Sequence, residues 1–311
     1  MSNGMTTISD MLDPIEKLRR DLKTAAVTLS TEEARYLVDA YYSVQDYRKA
    51  ANEQVRSLSK AGEPHEVLGW LMNNMATLEK QVLRALDAWS DGVPIARWAK
   101  SICGIGPVIA SGLAAHIDIE KAPTAGHIWS FAGLNPGKVW LPKTKRPWNA
   151  RLKVLAWKVG ESFVKVSGNP SDVYGKMYIE RKAEEWKRNL AGELAEQAKG
   201  KTEVMKRDTS AKMWYTGRID PKVAAEWLEK GKSWLEIPVA DKAEFHGMLP
   251  PAHIHARACR WTVKMFLSHY HYVAYSLKYG KEPPRPYAIE HMGHAHMVEA
   301  PNWPMEHYPA Q

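Results

Sequence analysis

Two long stretches near the start of the chain carry apolar residues at alternating steps of three and four, the spacing of an amphipathic helix. In residues 31–58 the repeating positions are Ala34, Leu37, Tyr41, Val44, Arg48, Ala51, Val55 and Leu58. In residues 65–90 they are Leu68, Leu71, Met75, Leu78, Val82, Ala85 and Trp89. Because only the short segment SKAGEP separates the two stretches, the pattern predicts an antiparallel pair of helices, with Thr31 as the first N-cap.

This predicted arm covers residues 31–92 and follows a lead of residues 1–30. It has two interpretations, which the pattern alone leaves open. One is an ordinary two-helix part of an α-bundle. The other is a coiled-coil-like arm that joins copies of the chain into a homo-oligomer or separates two domains. A polar residue, Arg48, lies in the seam of the first helix.

A glycine-containing turn between two short helical patterns follows the arm. Pro94 suits the first turn of the helix PIARWAKSI, and Pro107 suits the first position of the next helix. Between them, Gly104 and Gly106 flank Ile105 and permit positive φ and a close approach of the backbone to a partner. The pattern predicts a helix-hairpin-helix whose amides receive phosphate groups, and the alternative is a corner between two core helices.

The stretch 137–153, GKVWLPKTKRPWNARLK, is the most basic of the chain and contains no acidic residue. Its cations could hold a nucleic-acid backbone by displacing counterions. They are Lys138, Lys143, Lys145, Arg146, Arg151 and Lys153. Trp140 and Trp148 lie among them and either stack on unpaired bases or fill the core. We expect core positions for Trp89, Trp98, Trp129 and Trp157.

The pattern predicts a helical domain over residues 93–198, a polar insertion or linker over 199–250, a closing helix over 251–280 and a Pro- and His-rich tail over 281–311. The expected core face of the closing helix is Ala256, Cys259, Val263, Phe266, Tyr270, Val273 and Leu277. Its second face carries His253, Arg257, Arg260, Lys264 and His271. Of these, Arg257, Arg260 and Lys264 form a second candidate basic surface for contact with a phosphate backbone. No stretch has the period of a strand, so the predicted fold class is all-α.

Charge and cysteine content narrow the class of protein. Lys and Arg total 43 against 35 for Asp and Glu, and the resulting net charge of +8 fits a nucleic-acid binder without requiring one. The two cysteines, Cys103 and Cys259, cannot form a disulfide framework. No apolar run reaches the ~18 residues of a membrane span. With no signal-peptide pattern at the start, we expect a cytoplasmic protein without a membrane partner.

One histidine cluster is a candidate metal site. Glu290, His291, His294 and His296 lie close together in EHMGHAHM and could bind a divalent ion. A metal-dependent nuclease would use such a site to activate water. The alternative is a surface or aromatic-packed histidine cluster without a metal. No other cofactor is evident.

The segments ICGIGPVIASGLAAHIDI and TAGHIWSFAGLNPG resemble the C-terminal domain of insertion-sequence transposases of the IS110/IS116/IS902 group. In that family a Gly-Ile-Gly-Pro hairpin precedes an Ala-Gly-Leu-x-Pro segment, and a coiled coil comes before both. The specific likeness spans residues 102–137, and a looser likeness spans 31–200 and 250–280. The resemblance implies DNA binding in transposition or recombination. The tryptophans among the lysines leave structured RNA open as an alternative ligand.

Two parts of the family pattern are not matched. Members begin with an RNase H-like domain that carries metal-binding acids on strands, whereas residues 1–30 contain Asp10, Asp13 and Asp21 without a strand pattern. The family also uses a serine shortly after Ala-Gly-Leu-x-Pro. In GKVWLPKTKRPW the only hydroxyl belongs to Thr144, which is therefore the weak candidate nucleophile.

The expected function is therefore that of a transposase-like DNA-binding protein of a mobile element or phage, and a separate catalytic subunit is a candidate partner. An active recombinase or a metal-dependent nuclease is the first alternative. A non-catalytic structural protein that oligomerises through its helical arm is the second.

Overall fold

The computed structural model describes residues 22–63, 66–203, 209–284 and 298–305. This part of the chain is helical and contains no β-strand, which confirms the all-α prediction for the described residues. Residues 22–26 are helical. After them, in chain order, the helices are α1 (Thr31–Lys60), α2 (Glu66–Asp91), α3 (Pro94–Lys100), α4 (Pro107–His116), α5 (Ala125–Phe131), α6 (Ala150–Val166), α7 (Tyr174–Leu190), α8 (Ala195–Thr202), α9 (Ser210–Tyr215), α10 (Pro221–Glu229) and α11 (Pro251–Tyr279). Single 3₁₀ turns occur at Ile119–Lys121 and Trp234–Glu236.

The chain forms two compact units. The first unit comprises Met1–Val159 and Leu267–Gln311, and the second comprises Gly160–Phe266. The boundaries between them fall inside α6 and α11. The domain boundaries expected from the sequence remain predictions.

The arm is an antiparallel pair of helices within the first unit. Val38 of α1 packs with Leu86 of α2, and further along the pair Arg48 of α1 donates hydrogen bonds to Glu79 of α2. These two contacts fix the antiparallel direction, because α1 advances while α2 returns. The exposed arm tip lies at residues 61–63.

The start of α1 differs by one residue from the prediction. Ser30, not Thr31, is the N-cap, since its hydroxyl accepts the Glu33 amide at 3.2 Å while the Glu33 carboxylate accepts the Ser30 amide at 2.8 Å. This reciprocal pair is a capping box, which needs the hydroxyl residue three positions before the acid. Thr31 is two positions from Glu33 and already lies in the helix.

The short segment 298–305 packs against the end of α3 in the first unit. The fully buried Trp98 donates its indole N–H to the carbonyl of Pro301 at 2.9 Å. The Asn302 amide donates to the carbonyl of Ser101 at 2.8 Å. These bonds satisfy polar groups at the turn that follows α3, so the segment helps to hold that turn in place.

The second unit has two aromatic centres. Phe163 stacks on Tyr174 with 4.8 Å between ring centroids, and Phe266 meets both rings edge-on. A separate cluster is built around Trp186 and Trp214. The stretch 199–250, expected to be polar and only partly helical, supplies Trp214 and several other buried side chains to this cluster, namely Ile219, Ala224, Ile237, Met248 and Leu249.

The closing helix α11 has the predicted location, and Val263, Phe266, Tyr270 and Val273 are buried as expected. The expected core position is wrong for Leu277, which lies near the end of the helix and is 37% exposed. On the second face of this helix, His271 is buried. It is 4% exposed, and its Nε2 lies 2.8 Å from the carbonyl oxygen of Ala122. A buried imidazole with a backbone partner is stable in its neutral form, which the helical spacing alone does not reveal. None of the described helices is long and apolar enough to cross a membrane.

Candidate nucleic-acid interface

The turn from α3 to α4 uses its two glycines differently. Gly104 has φ +91°, in the left-handed region that favours glycine. Gly106 has φ −88° and ψ 175°, an extended conformation open to any residue, and a Cβ added there would meet nothing within 4 Å. Of the two glycines, only Gly104 uses the positive φ that glycine permits.

Gly106 is the N-cap of α4, and no side chain caps the helix there. It is exposed, whereas the side chain of Ile105 is 4% exposed and lies in the core. The Ile105 amide donates to the carbonyl of Ile102 at 2.9 Å, so it is already used within the turn. The exposed part of this candidate hairpin is thus the backbone at Gly106, where α4 starts.

Residues 137–147, which we call the basic loop, are all exposed. Its tip is a four-residue turn in which the Thr144 amide donates to the carbonyl of Leu141 at 3.3 Å and Lys143 has φ +62°. Proline at the second position and positive φ at the third are the features of a type II turn. The indole N–H of Trp140 donates to the Thr144 carbonyl at 2.8 Å, which ties the turn to the start of the loop.

The cations of the basic stretch fall into two groups. Lys138, Lys143 and Lys145 make no ion pair with any residue that the structure describes. The other three have partners: Arg146 lies 4.7 Å over the Trp140 ring, Lys153 lies 4.2 Å over the Trp148 ring, and Arg151 pairs with Asp39. The first group has its charge available for a ligand.

The tryptophans of this stretch also differ. Trp140 is 46% exposed, with Arg146 over its ring. Trp148 is partly buried against Gly133, where an added Cβ would come within 2.9 Å of the indole. Elsewhere, the expected core position is correct for Trp89 and Trp98 and wrong for Trp157, which is 63% exposed.

A cleft of about 1190 Å³ opens in the first unit. It is lined by residues from the arm, the end of α4, the start of α5 and the basic loop, including Arg35, His116, Thr124, His127 and Lys138. The Arg35 guanidinium donates twice to the Ala115 carbonyl, at 2.9 and 2.6 Å, and so caps the C-terminus of α4. Burial, followed by the charge of Arg35, lowers the pKa of His116, which favours a neutral ring.

Thr144, the candidate nucleophile, lies at the tip of the basic loop. Its hydroxyl donates to the Leu141 carbonyl at 2.7 Å. A nucleophilic hydroxyl needs a base that takes its proton, and a peptide carbonyl is not one. Catalysis by Thr144 remains a prediction.

The second candidate basic surface, formed by Arg257, Arg260 and Lys264, belongs to the second unit. Arg257 donates to Glu185 at 2.6 Å and to Gln197 at 2.6 Å. Burial would raise the pKa of Glu185, but hydrogen bonds from Arg257 and the charges of Arg257 and Arg181 outweigh it and lower that pKa. Arg257 therefore neutralises a buried carboxylate. Burial and the nearby Arg260 lower the pKa of Lys264, and the side chain of Arg260 is exposed.

The candidate metal ligands Glu290, His291, His294 and His296 lie outside the described residues. Within them, a different group could hold a metal: Glu161, His255 and Cys259, whose ligand atoms all lie within 4.8 Å of one another. Burial raises the pKa of the Cys259 thiol to about 11. The sequence does show His255 and Cys259 four positions apart on a predicted helix, but Glu161 is distant in the chain, and we did not identify the group from the sequence.

Comparisons with curated proteins and with solved structures gave no match to this chain. Residues 96–140 match the Transposase IS116/IS110/IS902 family. This segment begins in α3 and ends within the basic loop, at Trp140. The resemblance that the sequence shows to these transposases is thereby confirmed, and the turn after α3, helices α4 and α5 and the start of the basic loop form a transposase-like segment of the IS116/IS110/IS902 family.

Proposed function

We propose that this transposase-like chain holds the DNA backbone in transposition or recombination of a mobile element, using the turn between α3 and α4 together with the basic loop. The observation that carries the proposal is the set of exposed lysines, Lys138, Lys143 and Lys145, that form no ion pair within the described residues. Unpaired surface lysines on one loop bind polyanions by releasing counterions, without reading sequence.

The turn between α3 and α4 adds directional contacts to this charge. In the proposed helix-hairpin-helix, the uncapped and exposed start of α4 at Gly106 presents amide groups and the positive end of the helix dipole to a phosphate. Such contacts position a backbone and carry no sequence information. We therefore expect binding that depends strongly on salt and weakly on sequence.

Trp140 gives the basic loop an affinity for unpaired bases in addition to phosphates. Its ring is partly exposed, and its indole N–H and the overlying Arg146 fix its orientation. An aromatic ring held in this way among lysines is a stacking platform for a single-stranded or branched nucleic acid. Structured RNA presents the same chemistry and is the alternative ligand.

The test is a charge reversal of the loop. The triple variant Lys143→Glu, Lys145→Glu and Arg146→Glu should abolish binding to duplex and branched DNA in fluorescence anisotropy, with an unchanged helical circular dichroism spectrum. In wild-type protein, log K should fall with log salt by about 0.9 for each phosphate contacted. The neutral variant Lys143→Asn, which keeps the left-handed turn conformation, should lower that slope by about 1.

A matched control reverses three exposed cations of the arm, Arg56, Lys80 and Arg84, to Glu, which changes the net charge equally. Its affinity should fall much less than that of the loop variant. If both triple variants bind equally, the net charge of the protein is responsible and the basic loop is not the interface. A panel of duplex, branched, single-stranded DNA and structured RNA identifies the preferred form.

The bond-breaking chemistry belongs, in this proposal, to a separate catalytic subunit. The Thr144 hydroxyl is bound to a carbonyl, which argues for a loop tip that contacts its ligand without attacking it. A nicking assay with and without a chelator tests this directly. Nicking by the purified chain that is lost in Thr144→Val would show that the chain is itself a recombinase.

A further inference from the structure

Three side chains with metal-binding atoms meet in the second unit. Glu161 lies on α6, and His255 and Cys259 lie one helical turn apart on α11. The imidazole Nε2 of His255 is 3.7 Å from a Glu161 carboxylate oxygen and 3.6 Å from the Cys259 sulfur. The three ligand atoms thus form a triangle whose sides are all shorter than 4.8 Å.

These separations fit the edges of a tetrahedral coordination shell. Zinc binds nitrogen or oxygen at about 2.0–2.2 Å and sulfur at about 2.3 Å, so two ligands on one tetrahedral zinc lie about 3.3–3.7 Å apart. The two His255 separations are in or at the limit of this range. All the ligand atoms lie within 4.8 Å of one another, and side-chain rotation has to bring the Cys259 sulfur, now beside the imidazole ring, toward the lone pair of Nε2.

Tyr178 of α7 supplies an outer hydrogen bond of the kind that metal-binding histidines have. Its hydroxyl is 2.8 Å from the Nδ1 of His255, the ring nitrogen that lies 3.9 Å from the Cys259 sulfur, slightly farther than Nε2. With a proton on Nδ1 donated to the tyrosine oxygen, Nε2 keeps its lone pair for the metal. The contact holds the direction of the ring, and metal binding at Nε2 selects the tautomer with the proton on Nδ1.

Charge and access also suit a zinc ion. A thiolate, a carboxylate and a neutral imidazole balance the two positive charges of Zn²⁺, so the ion adds no net charge beside Lys182 and Arg260, the cations that act on Cys259. The side chains of His255 and Glu161 are 36% and 31% exposed, which leaves a path from solvent. The mixed sulfur, nitrogen and oxygen ligand set excludes Mg²⁺ and Ca²⁺, which prefer oxygen.

We propose that Glu161, His255 and Cys259 form a zinc site with its fourth position open to water or another small ligand. Three protein ligands and one free position are the arrangement of reactive zinc sites, whereas purely structural sites have four protein ligands. The site involves none of the residues of the basic loop and is independent of the proposed nucleic-acid binding.

Cobalt(II) substitution in the full-length protein tests the site. One equivalent of Co²⁺ should give the visible bands of a four-coordinate ion together with a thiolate-to-cobalt charge-transfer band, and added Zn²⁺ should remove both. Cys259→Ala should lose the charge-transfer band. Tyr178→Phe should keep the band and weaken zinc affinity about tenfold, because the tyrosine only orients the histidine.

Two controls separate this site from other metal-binding groups. Cys103→Ser removes the other cysteine and should titrate as wild type. The triple variant His291→Gln, His294→Gln and His296→Gln should also keep the charge-transfer band. Retention of the band in Cys259→Ala, or its absence from the wild-type protein, would overturn the proposal.

If Cys259→Ala does not fold, the wild-type protein supplies the test. Zinc should slow alkylation of Cys259 at least tenfold and leave alkylation of Cys103 unchanged, as followed by mass spectrometry of the two peptides. Equal rates for Cys259 with and without zinc would contradict the site.

Discussion

At the scale of single residues, Gly104 and Gly106 show that two glycines of one motif can have different conformational roles. Both belong to the same Gly-Ile-Gly stretch, but only Gly104 adopts positive φ. Gly106 has an ordinary extended conformation and open space where a Cβ would lie. The glycine at 106 is therefore unnecessary for the fold and has room above it for a ligand backbone.

The two alanine substitutions should differ accordingly. Gly104→Ala should lower the free energy of unfolding by about 1–2 kcal/mol, because a Cβ is strained at positive φ. Gly106→Ala should change it by less than about 0.5 kcal/mol, since the conformation is allowed and the reduced freedom of the unfolded chain offsets the poorer N-cap. Urea unfolding followed by circular dichroism measures both. Equal losses would mean that Gly106 has a structural role that its φ does not show.

At the scale of elements, the arm is stabilised by a polar pair within its seam. Arg48 and Gln45 of α1 both donate to Glu79 of α2, whose side chain is 11% exposed. Burial would raise the pKa of Glu79, but hydrogen bonds from Arg48 and Gln45 outweigh it and hold that pKa below its usual value near 4.5. The stabilisation is thus fully present above about pH 4.5 and is lost as the pH falls through the lowered pKa.

Removal of one partner should cost more than removal of both. Glu79→Leu should destabilise the protein by about 1–3 kcal/mol, because it leaves the Arg48 guanidinium half-buried without its acceptor. The double variant Arg48→Leu, Glu79→Leu should recover at least half of that loss. Thermal unfolding gives the comparison, with the exposed Glu53→Leu of α1 as a control that changes little. A double variant as unstable as Glu79→Leu would show that packing, and not the unpaired charge, causes the loss.

The elements themselves were predictable because their signals are local. The three-and-four spacing located α1 and α2 to within two residues at each end, and Pro94 and Pro107 marked the starts of α3 and α4. Contacts between distant parts of the chain were not predictable. The acceptor of Arg48, the partner Asp39 of Arg151 and the approach of Glu161 to His255 each depend on packing that no spacing encodes. The sequence therefore located the basic stretch of the candidate interface. Only the structure showed which of its cations have partners and which have none among the described residues.

At the scale of the whole molecule, the cations behind the net charge of +8 have different roles, since some pair with acidic side chains and others are available to a ligand. Arg257 neutralises a buried acid, and Arg48 and Arg151 pair across helices, so these cations support the fold. The lysines of the basic loop have no such partners within the described residues. Composition counts every lysine and arginine equally. Only the contacts in the structure show which of these cations have an acidic partner and which are available to a ligand.

Exposed apolar side chains on the arm lead us to expect self-association. Trp70 and Leu78 of α2 are 65% and 47% exposed, although Leu78 is a predicted seam position, and they lie eight residues apart, about 80° around the helix axis. We expect a homo-oligomer that buries them, and Trp70→Glu with Leu78→Glu should convert it to a monomer. Light scattering coupled to gel filtration measures the mass, and Tyr36→Glu, at an exposed site on α1, is the control. A wild-type mass of one chain at all concentrations would contradict the expectation.

The contact of Trp98 and Ser101 with Pro301 and Asn302 has a consequence for biosynthesis. The bond between Trp98 and Pro301 joins positions 203 residues apart, and ribosomes add about 5–20 residues per second. About 10–40 s therefore pass between translation of α3 and translation of the segment that covers its end. During that interval the nascent chain carries the turn between α3 and α4 and the basic loop without the segment that secures the turn, so both are exposed to other molecules before the fold around them is complete.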